Sequence, residues 1–582
     1  MKGKPTKVNA RKIKCAVLAS SLLLTGFSEA LIAQEESVSR IEEVVVTARK
    51  RAESIQEVPV AVTALTPSQL DKGNIQRVQD LQKLVPNVKM HDMAFAGGAM
   101  SACIRGMCYD DLEKSFEPAV PVVIDGVVHA SNAAVDMDMF DLEGVEVLRG
   151  PQGTLFGRNT IGGVINIKRT QPTGDWGLKM QADVEEDSTH EIKLVANMPL
   201  GDSGGIKVAL RQLESDSFMY NMSRNNKEKL RDLESASVSI ASSLGENLYA
   251  NLTVDYYNDN SAHNLITITE PAGAFCAVVG LCRTNYNSEE YDYMVTWQGE
   301  RFESGVSGVN YTLNLQYEGD GFTFKSITGQ NDFEELMDIC SWGGPHETAF
   351  YGPFSVRPAS DYPTDRSDAV CAFPVVRDQE MEQLSQEFQL ISDLDGPFNY
   401  TLGLFYLEAE SYMDSGPVQN FLATHELEAK AVYADVVYDL SDEWQINLGV
   451  RYTEEEKSLD TQDYLTHDFK KRRDAVSPRF TSSVSDDNLT YKITLSRNTS
   501  FGMIYGGVST GYRSGGWQMR GVGGYLGGAG ATDTLQDYGP FQSEEVTNTE
   551  IGIRSELNEG RVILNFTGFQ SDYEDKQETE SP

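Results

Sequence analysis

The chain has 582 residues, too many for one ordinary hydrophobic core. Its formal net charge of −38 argues against nucleic acid as a partner, because phosphate binding needs clustered cations. A mean hydropathy of −0.36, with no later run of the ~20 apolar residues a spanning helix needs, excludes a helical membrane protein.

The front end reads as an export signal over residues 1–33. Lys2, Lys4, Lys7, Arg11, Lys12 and Lys14 form a basic region ahead of the apolar stretch Cys15 to Phe27, which is too short to span. Cleavage is expected after Ala30 or Ala33. Behind it, Ile41 to Lys50 reads IEEVVVTARK, a strand-forming run in a polar setting. An unpaired strand is normally a liability. It is therefore either a core strand in an odd place or a strand meant for a partner.

From about Ala52 to Pro172 the pattern mixes helix and short strands, as in a compact α+β domain. Leu70, Ile75, Val78, Leu81 and Leu84 fall at helical spacing, which predicts a helix over Ser68 to Pro86. Short apolar runs follow, VPVVIDGVV and GVINI among them. The glycines at 150, 153, 157, 162 and 163 are expected at turns that need positive φ.

From Trp176 onward long alternating strands take over. Tyr311, Leu313, Leu315 and Tyr317 share one face, with Thr312, Asn314, Gln316 and Glu318 on the other. Trp444, Ile446, Leu448, Val450 and Tyr452 repeat the pattern. An apolar face bracketed by aromatics, opposite a polar face, is the mark of a transmembrane β-barrel. Tight links such as Asp439 to Asp442 alternate with long acidic excursions, roughly Asn258 to Tyr291 and Asp332 to Arg377. Roughly sixteen strands are expected between Gly177 and Lys576.

Six cysteines remain after Cys15, in three local pairs: Cys103/Cys108, Cys276/Cys282 and Cys340/Cys371. An exported protein is expected to oxidise them. The last two pairs read as loop staples. Cys103/Cys108 is left open, because five residues of straight strand would hold the sulfurs too far apart. Zinc is the weaker alternative, since no pair shows C-x2-C spacing. Gly507 to Gly511 matches G-x-S-x-G, but glycine-rich strand follows and His467, the last histidine, lies upstream, so catalysis is not expected. No cofactor or metal site is expected either; His91 and His346 are the histidines placed to touch a ligand, though each reads more simply as a loop residue.

Several stretches together resemble the TonB-dependent outer-membrane receptors. Glu42, Glu43, Val44, Val45, Val46, Thr47 and Ala48 resemble the TonB box, and Ile104 to Met107 the plug's I-R-G motif. Asp141 to Ile167, DLEGVEVLRGPQGTLFGRNTIGGVINI, resembles the main plug signature. Tyr505 to Trp517 and Thr549 to Leu557 resemble barrel strands. The resemblance implies a fold: an antiparallel transmembrane β-barrel, of 22 strands in the family, around an N-terminal α+β plug. It divides the chain into a periplasmic segment 34–51, a plug 52–172 and a barrel 173–582, which at roughly sixteen strands reads as a C-terminally truncated fragment. It also implies a non-enzymatic importer of the Gram-negative outer membrane, in contact with its lipid and with loops outside. The box would be lent to TonB and its inner-membrane energising complex. The extracellular ligand would by family default be a ferric siderophore, with vitamin B12, a sugar or an aromatic compound as alternatives. Plug arginines Arg105, Arg149 and Arg158 would pair with barrel glutamates, Glu387 and Glu550 being the candidates. A passive porin-like barrel or a secreted β-rich protein fits the plug signature less well.

Overall fold

The computed structural model describes residues 44–578, except 93–99, 109–116, 132–140, 186–187, 222–225, 262–294, 297–302, 341–342, 346–368, 372–373, 418–420, 464–478, 518–539 and 559–560. The export signal, Glu42, Glu43, Cys276, Cys282 and His346 lie outside the described residues.

The N-terminal part holds β1 (Val45–Val46), β2 (Glu53–Ser54), β3 (Val62–Leu65), α1 (Pro67–Lys72), β4 (Val88–Asp92), β5 (Met100–Ile104), β6 (Val122–Ile124), β7 (Val127–Val128), β8 (Leu142–Arg149) and β9 (Gly163–Arg169). A five-stranded sheet in the order β3-β8-β9-β6-β7 carries its centre; β4 pairs β5 and β1 pairs β2 separately. Leu70, Val78, Leu81, Val145, Val147 and Ile165 pack into one buried cluster. The long helix expected over Ser68 to Pro86 is instead two short pieces. Thr66 and Gln69 form a capping box and Pro67 opens α1, but Gly73 caps it at once and Asn74 turns left-handed at φ 48°. A 3₁₀ turn, Val78–Lys83, resumes the pattern. The apolar spacing was right about burial for Leu70, Ile75, Val78 and Leu81, while Leu84 is left exposed.

The rest is mainly one large antiparallel sheet, to which β15 adds in parallel and from which β18 and β19 stand apart as a separate pair: β10 (Gly177–Glu185), β11 (Thr189–Leu200), β12 (Gly204–Asn221), β13 (Asn226–Ser243), β14 (Leu248–Asp259), β15 (Val295–Thr296), β16 (Glu303–Gly319), β17 (Phe322–Cys340), β18 (Gly343–Pro345), β19 (Ala369–Cys371), β20 (Pro374–Ser392), β21 (Phe398–Pro417), β22 (Phe421–Asp439), β23 (Trp444–Asp463), β24 (Phe480–Thr499), β25 (Gly502–Arg513), β26 (Glu544–Leu557) and β27 (Val562–Glu574). Fifteen of these run in line from β10 to β27; β15 pairs only β12, and β18 pairs β19. The excursion expected from Asp332 is strand at both ends, since Asp332 to Cys340 of β17 pair with Pro374 to Glu382 of β20. Ladder pairing there outweighs the polar composition. Gly507 to Gly511 lies within β25, as strand.

Alternation is inverted relative to a soluble protein. On β23, Asn447, Arg451, Thr453, Glu455 and Lys457 are buried, while Leu448, Val450 and Tyr452 are exposed. On β24, Thr490, Lys492, Thr494 and Ser496 are buried and Leu489, Ile493 and Leu495 exposed. Polar residues thus line a lumen that the plug fills, and apolar residues face out, as lipid requires. Exposed aromatics bracket that face: Tyr317, Phe398, Tyr438 and Trp444 near the short turns, and Tyr256, Tyr311, Tyr452 and Tyr491 further up the strands. Trp444 to Tyr452 covers about 27 Å along the strand at ~3.4 Å per residue, which with a 35–45° tilt gives a band close to a hydrocarbon core. Leu448 sits midway. Leu448→Arg should cost about 2–4 kcal/mol of folding stability in vesicles, measured by urea titration, because an arginine at that depth has no water to face.

Candidate functional site: the docked N-terminal strand and the plug–barrel ion pairs

The N-terminal strand is docked. Val45↔Ser54 and Val46↔Glu53 form a two-residue antiparallel ladder. Val46 is fully buried against Val58, Val60, Val62, Leu148, Phe156 and Tyr433, and Val44 packs on the same cluster, whereas Val45 points outward. The alternation therefore places Val44 and Val46 on one face. Thr47 donates its backbone N–H to Glu146 Oε1 at 2.7 Å, and its hydroxyl lies 3.0 Å from the same oxygen; Ala48 is buried beyond it. Burying Val46 contributes about 1.5–3 kcal/mol, so the attachment is modest.

Next in the chain, Arg49 forks onto Glu53 at 2.8 and 2.6 Å. Lys50 Nζ lies 3.3 Å from Glu387 Oε2, and the hydroxyl of Tyr433 donates to Glu387 Oε1 at 2.6 Å. Arg51 donates to the Tyr400 carbonyl at 3.1 Å. All these barrel partners stand near the short-turn ends of β20, β21 and β22. Glu387 thus meets Lys50, not one of the three plug arginines.

Those arginines separate. Arg105 donates to Glu550 Oε2 at 2.7 Å, with its guanidinium 3.9 Å above the Phe569 ring. Arg158 is held between two carboxylates, Glu117 Oε1 at 2.7 Å and Glu455 Oε2 at 2.9 Å. Arg149 has no carboxylate partner among the described residues; it reaches the Pro86 carbonyl at 3.5 Å. Burial, then the neighbouring Arg105 and Arg554 guanidiniums, lower its pKa. Burial alone would raise the Glu117 carboxyl, yet Arg158 and then Lys457 hold it at about 2. Lys457 Nζ lies 3.2 Å from Glu117, and Tyr512 and Ser514 donate to Glu455. Sequence reasoning missed Glu117, Glu146, Glu455 and Lys457. Only the last two carried a signal: charges on the face of β23 that also carries Arg451, opposite its apolar face.

The plug signature is positioned by its glycines. Gly150 and Gly157 have φ of 92° and 85°, as expected. Gly163 does too, at φ 149°, and a Cβ there would stand 2.1 Å from the Leu148 carbonyl oxygen. Gly153 and Gly162 depart from the expectation: neither has positive φ, and close approach is their reason. A Cβ on Gly153 would meet the Thr510 carbonyl oxygen at 2.7 Å, and one on Gly162 would meet Val120 at 2.9 Å.

Cys103 and Cys108 are joined, with Cα atoms 4.3 Å apart. The strand is not straight there: Arg105 and Gly106 turn at φ 56° and 83° and fold the chain back. Cys340 ends β17 and Cys371 ends β19; their side chains lie outside the described residues. His91 sits on β4 opposite Ser101. On the β12 to β17 side the plug fits loosely, leaving a cavity of about 130 Å³ lined by His129, Arg169, Asp255 and Asn310 among others. Burial and then Arg169 push the His129 pKa down to about 4.

Residues 237–582 match the family "TonB dependent receptor-like, beta-barrel", and residues 54–164 match the "TonB-dependent Receptor Plug Domain". The chain belongs to the TonB-dependent receptors. These are non-enzymatic β-barrel receptors of the Gram-negative outer membrane. Among curated relatives, the receptor is 27% identical over 203 residues to the pesticin receptor of Yersinia pestis, covering 34% of this chain and 29% of that protein. It is 30% identical over 209 residues to the vitamin B12 transporter BtuB of Vibrio vulnificus strain YJ016, covering 35% and 32%. The matched part thus spans about a third of these relatives' length. Its fold is similar to the ferric yersiniabactin uptake receptor FyuA of Yersinia pestis, with a TM-score of 0.70, 18% identity, and coverage of 89% of this chain and 73% of that one. The closed form of the ferric-catecholate import receptor Fiu of E. coli gives 0.66, 15%, 90% and 74%.

Two predictions test the upper ion cluster. Arg158→Met leaves Glu117 and Glu455 buried with Lys457 alone, and should cost about 3–5 kcal/mol in the local opening energy of residues 156–160, read by hydrogen exchange. The pH response has a definite sign. Because the folded Glu117 pKa lies near 2, below the ordinary 4.5, its contribution is fully present above pH 4.5 and is lost as pH falls toward 2. Opening energy at those amides should be flat from pH 8 to 5 and drop only below 4.5.

Proposed function

We propose that this receptor imports a scarce extracellular ligand of the iron–siderophore class, and that TonB drives import by pulling on residues 42–48. The observation that carries the reading is the docked strand β1. Among the described residues it pairs with β2 along one edge only, and Val45 on it is 59% exposed. A partner strand can add to the free edge through backbone hydrogen bonds, with side chains setting the register. The contacts that follow, at Thr47 and Lys50, are few and polar, so traction on β1 can release them one at a time. The division into signal 1–33, box segment 34–51, plug 52–172 and barrel 173–582 belongs to this same reading. Cys276/Cys282 and Cys340/Cys371 are assigned as loop staples within it.

The ligand class is supported by the fold neighbours, which include receptors for ferric yersiniabactin, alcaligin and ferric catecholates. A second reading, vitamin B12, is favoured by the curated BtuB relatives. Cells expressing the full chain, offered a panel of ferric siderophores and cobalamin, decide between them by which compound supports growth. Val45→Pro removes a backbone donor from β1. It should abolish uptake of radiolabelled ligand while leaving binding to intact cells unchanged; uptake at the wild-type rate would rule out this role for residues 42–48.

A further inference from the structure

We infer that the cleft between Arg149 of the plug and Lys492 of β24 holds a small anion, of chloride or carboxylate size. This does not rest on the transport reading. The cleft is a cavity of about 30 Å³, lined on the plug side by Arg149 and Gln152 and on the barrel side by Lys492, Tyr505, Asn548 and Glu550. That volume is about two water-sized spheres, enough for one dehydrated halide or the end of a carboxylate.

The charges around it do not balance. Among the described residues Glu550 is the only carboxylate lining the cleft, and both its oxygens are engaged. Oε2 accepts from Arg105 at 2.7 Å, and Oε1 accepts from the Tyr505 hydroxyl at 3.0 Å. Against it stand Arg149 and Lys492, with Arg105 and Arg554 as the charged neighbours of Arg149. Arg149 has the single long contact to the Pro86 carbonyl, and its Nε is buried without a hydrogen-bond partner. Lys492 is only 8% exposed and makes no hydrogen bond or ion pair among the described residues. The other carboxylates near Lys492 are Asp435 and Glu53. Asp435 accepts from Asn447 through Oδ1 at 2.8 Å and keeps its Oδ2 buried without a hydrogen-bond partner, and Glu53 accepts from Arg49 at 2.8 Å; neither carboxylate forms an ion pair with Lys492 among the described residues. An ammonium buried without a direct hydrogen-bond or ion-pair partner is strongly unfavourable. A small anion between Arg149 and Lys492 satisfies both cations and ties plug to barrel wall at mid-lumen. The rival way to remove the charge is a neutral lysine, which needs no anion.

The test uses the purified full chain in detergent, melted in chloride, formate or gluconate at matched ionic strength. The melting temperature should rise saturably, by a few degrees, with chloride or formate and not with gluconate, which is too large for the cleft. A response to both small anions identifies a free ion as sufficient; a response to formate alone identifies a carboxylate, such as a ligand could carry. Lys492→Met, similar in shape and uncharged, should melt identically in all three salts. Identical curves for the unaltered chain, or an undiminished response in Lys492→Met, overturn the proposal in favour of the neutral lysine. Should that variant fail to fold, crystals of the unaltered chain soaked separately in bromide and formate decide the matter: density between Arg149 and Lys492 in either supports the site, and an empty cleft in both rejects it.

Discussion

A polar lumen has to be filled by something that answers its charges, and the Arg158 cluster is where that demand is strictest. Arg158, Glu117, Glu455 and Lys457 are all buried, at a junction where plug and barrel meet. None of the four is tolerable alone in that setting, since an unpaired buried charge costs far more than the pair returns. The plug seat is thus specified by charge complementarity more than by apolar fit. Gly157 shows how far the chain bends to allow it: a Cβ there would stand 2.7 Å from the Arg451 guanidinium carbon.

Attachment strength is graded along the lumen. Arg158 lies in the half nearer the long loops, where β23 contributes Glu455 and Lys457 well away from the Trp444 turn. Lower down, the Arg105–Glu550 pair is partly accessible on the glutamate side, and at the short-turn end Lys50 meets Glu387 at a longer 3.3 Å. Longer or more solvated pairs are individually weak. Ion pairing between plug and barrel is thus densest around Arg158 and sparser at the other end, the one from which residues 44–51 lead.

Much of this was legible beforehand. Alternation with aromatic brackets in β16 and β23 reported the barrel, because period two and the lipid boundary leave a direct imprint on residue order. The plug signature located Arg149 and Arg158, and Thr549 to Leu557 located Glu550. What was not legible were partners far apart in the chain: Arg158 and Glu455 are separated by 297 positions, and no local rule selects Glu455 over Glu387. The helix over Ser68 to Pro86 was over-read for a different reason. Its apolar spacing records which side chains are buried, and a capped helix followed by a 3₁₀ turn buries most of the same ones.

The order of strands in the plug sheet bears on how the plug comes apart under load. The chain leaving β1 runs through the contacts at Lys50 and Arg51 and through β2, and then enters β3, the edge of the sheet, which is joined to it through β8 over four residue pairs. An edge strand has rungs to break against one neighbour, whereas a central strand has rungs to break against two. In the proposed cycle the mechanical fuse is therefore β3. Beyond it, β8 and β9, with the Arg158 loop between them, remain as a tethered remnant against which the peeled strand can re-form when tension is removed.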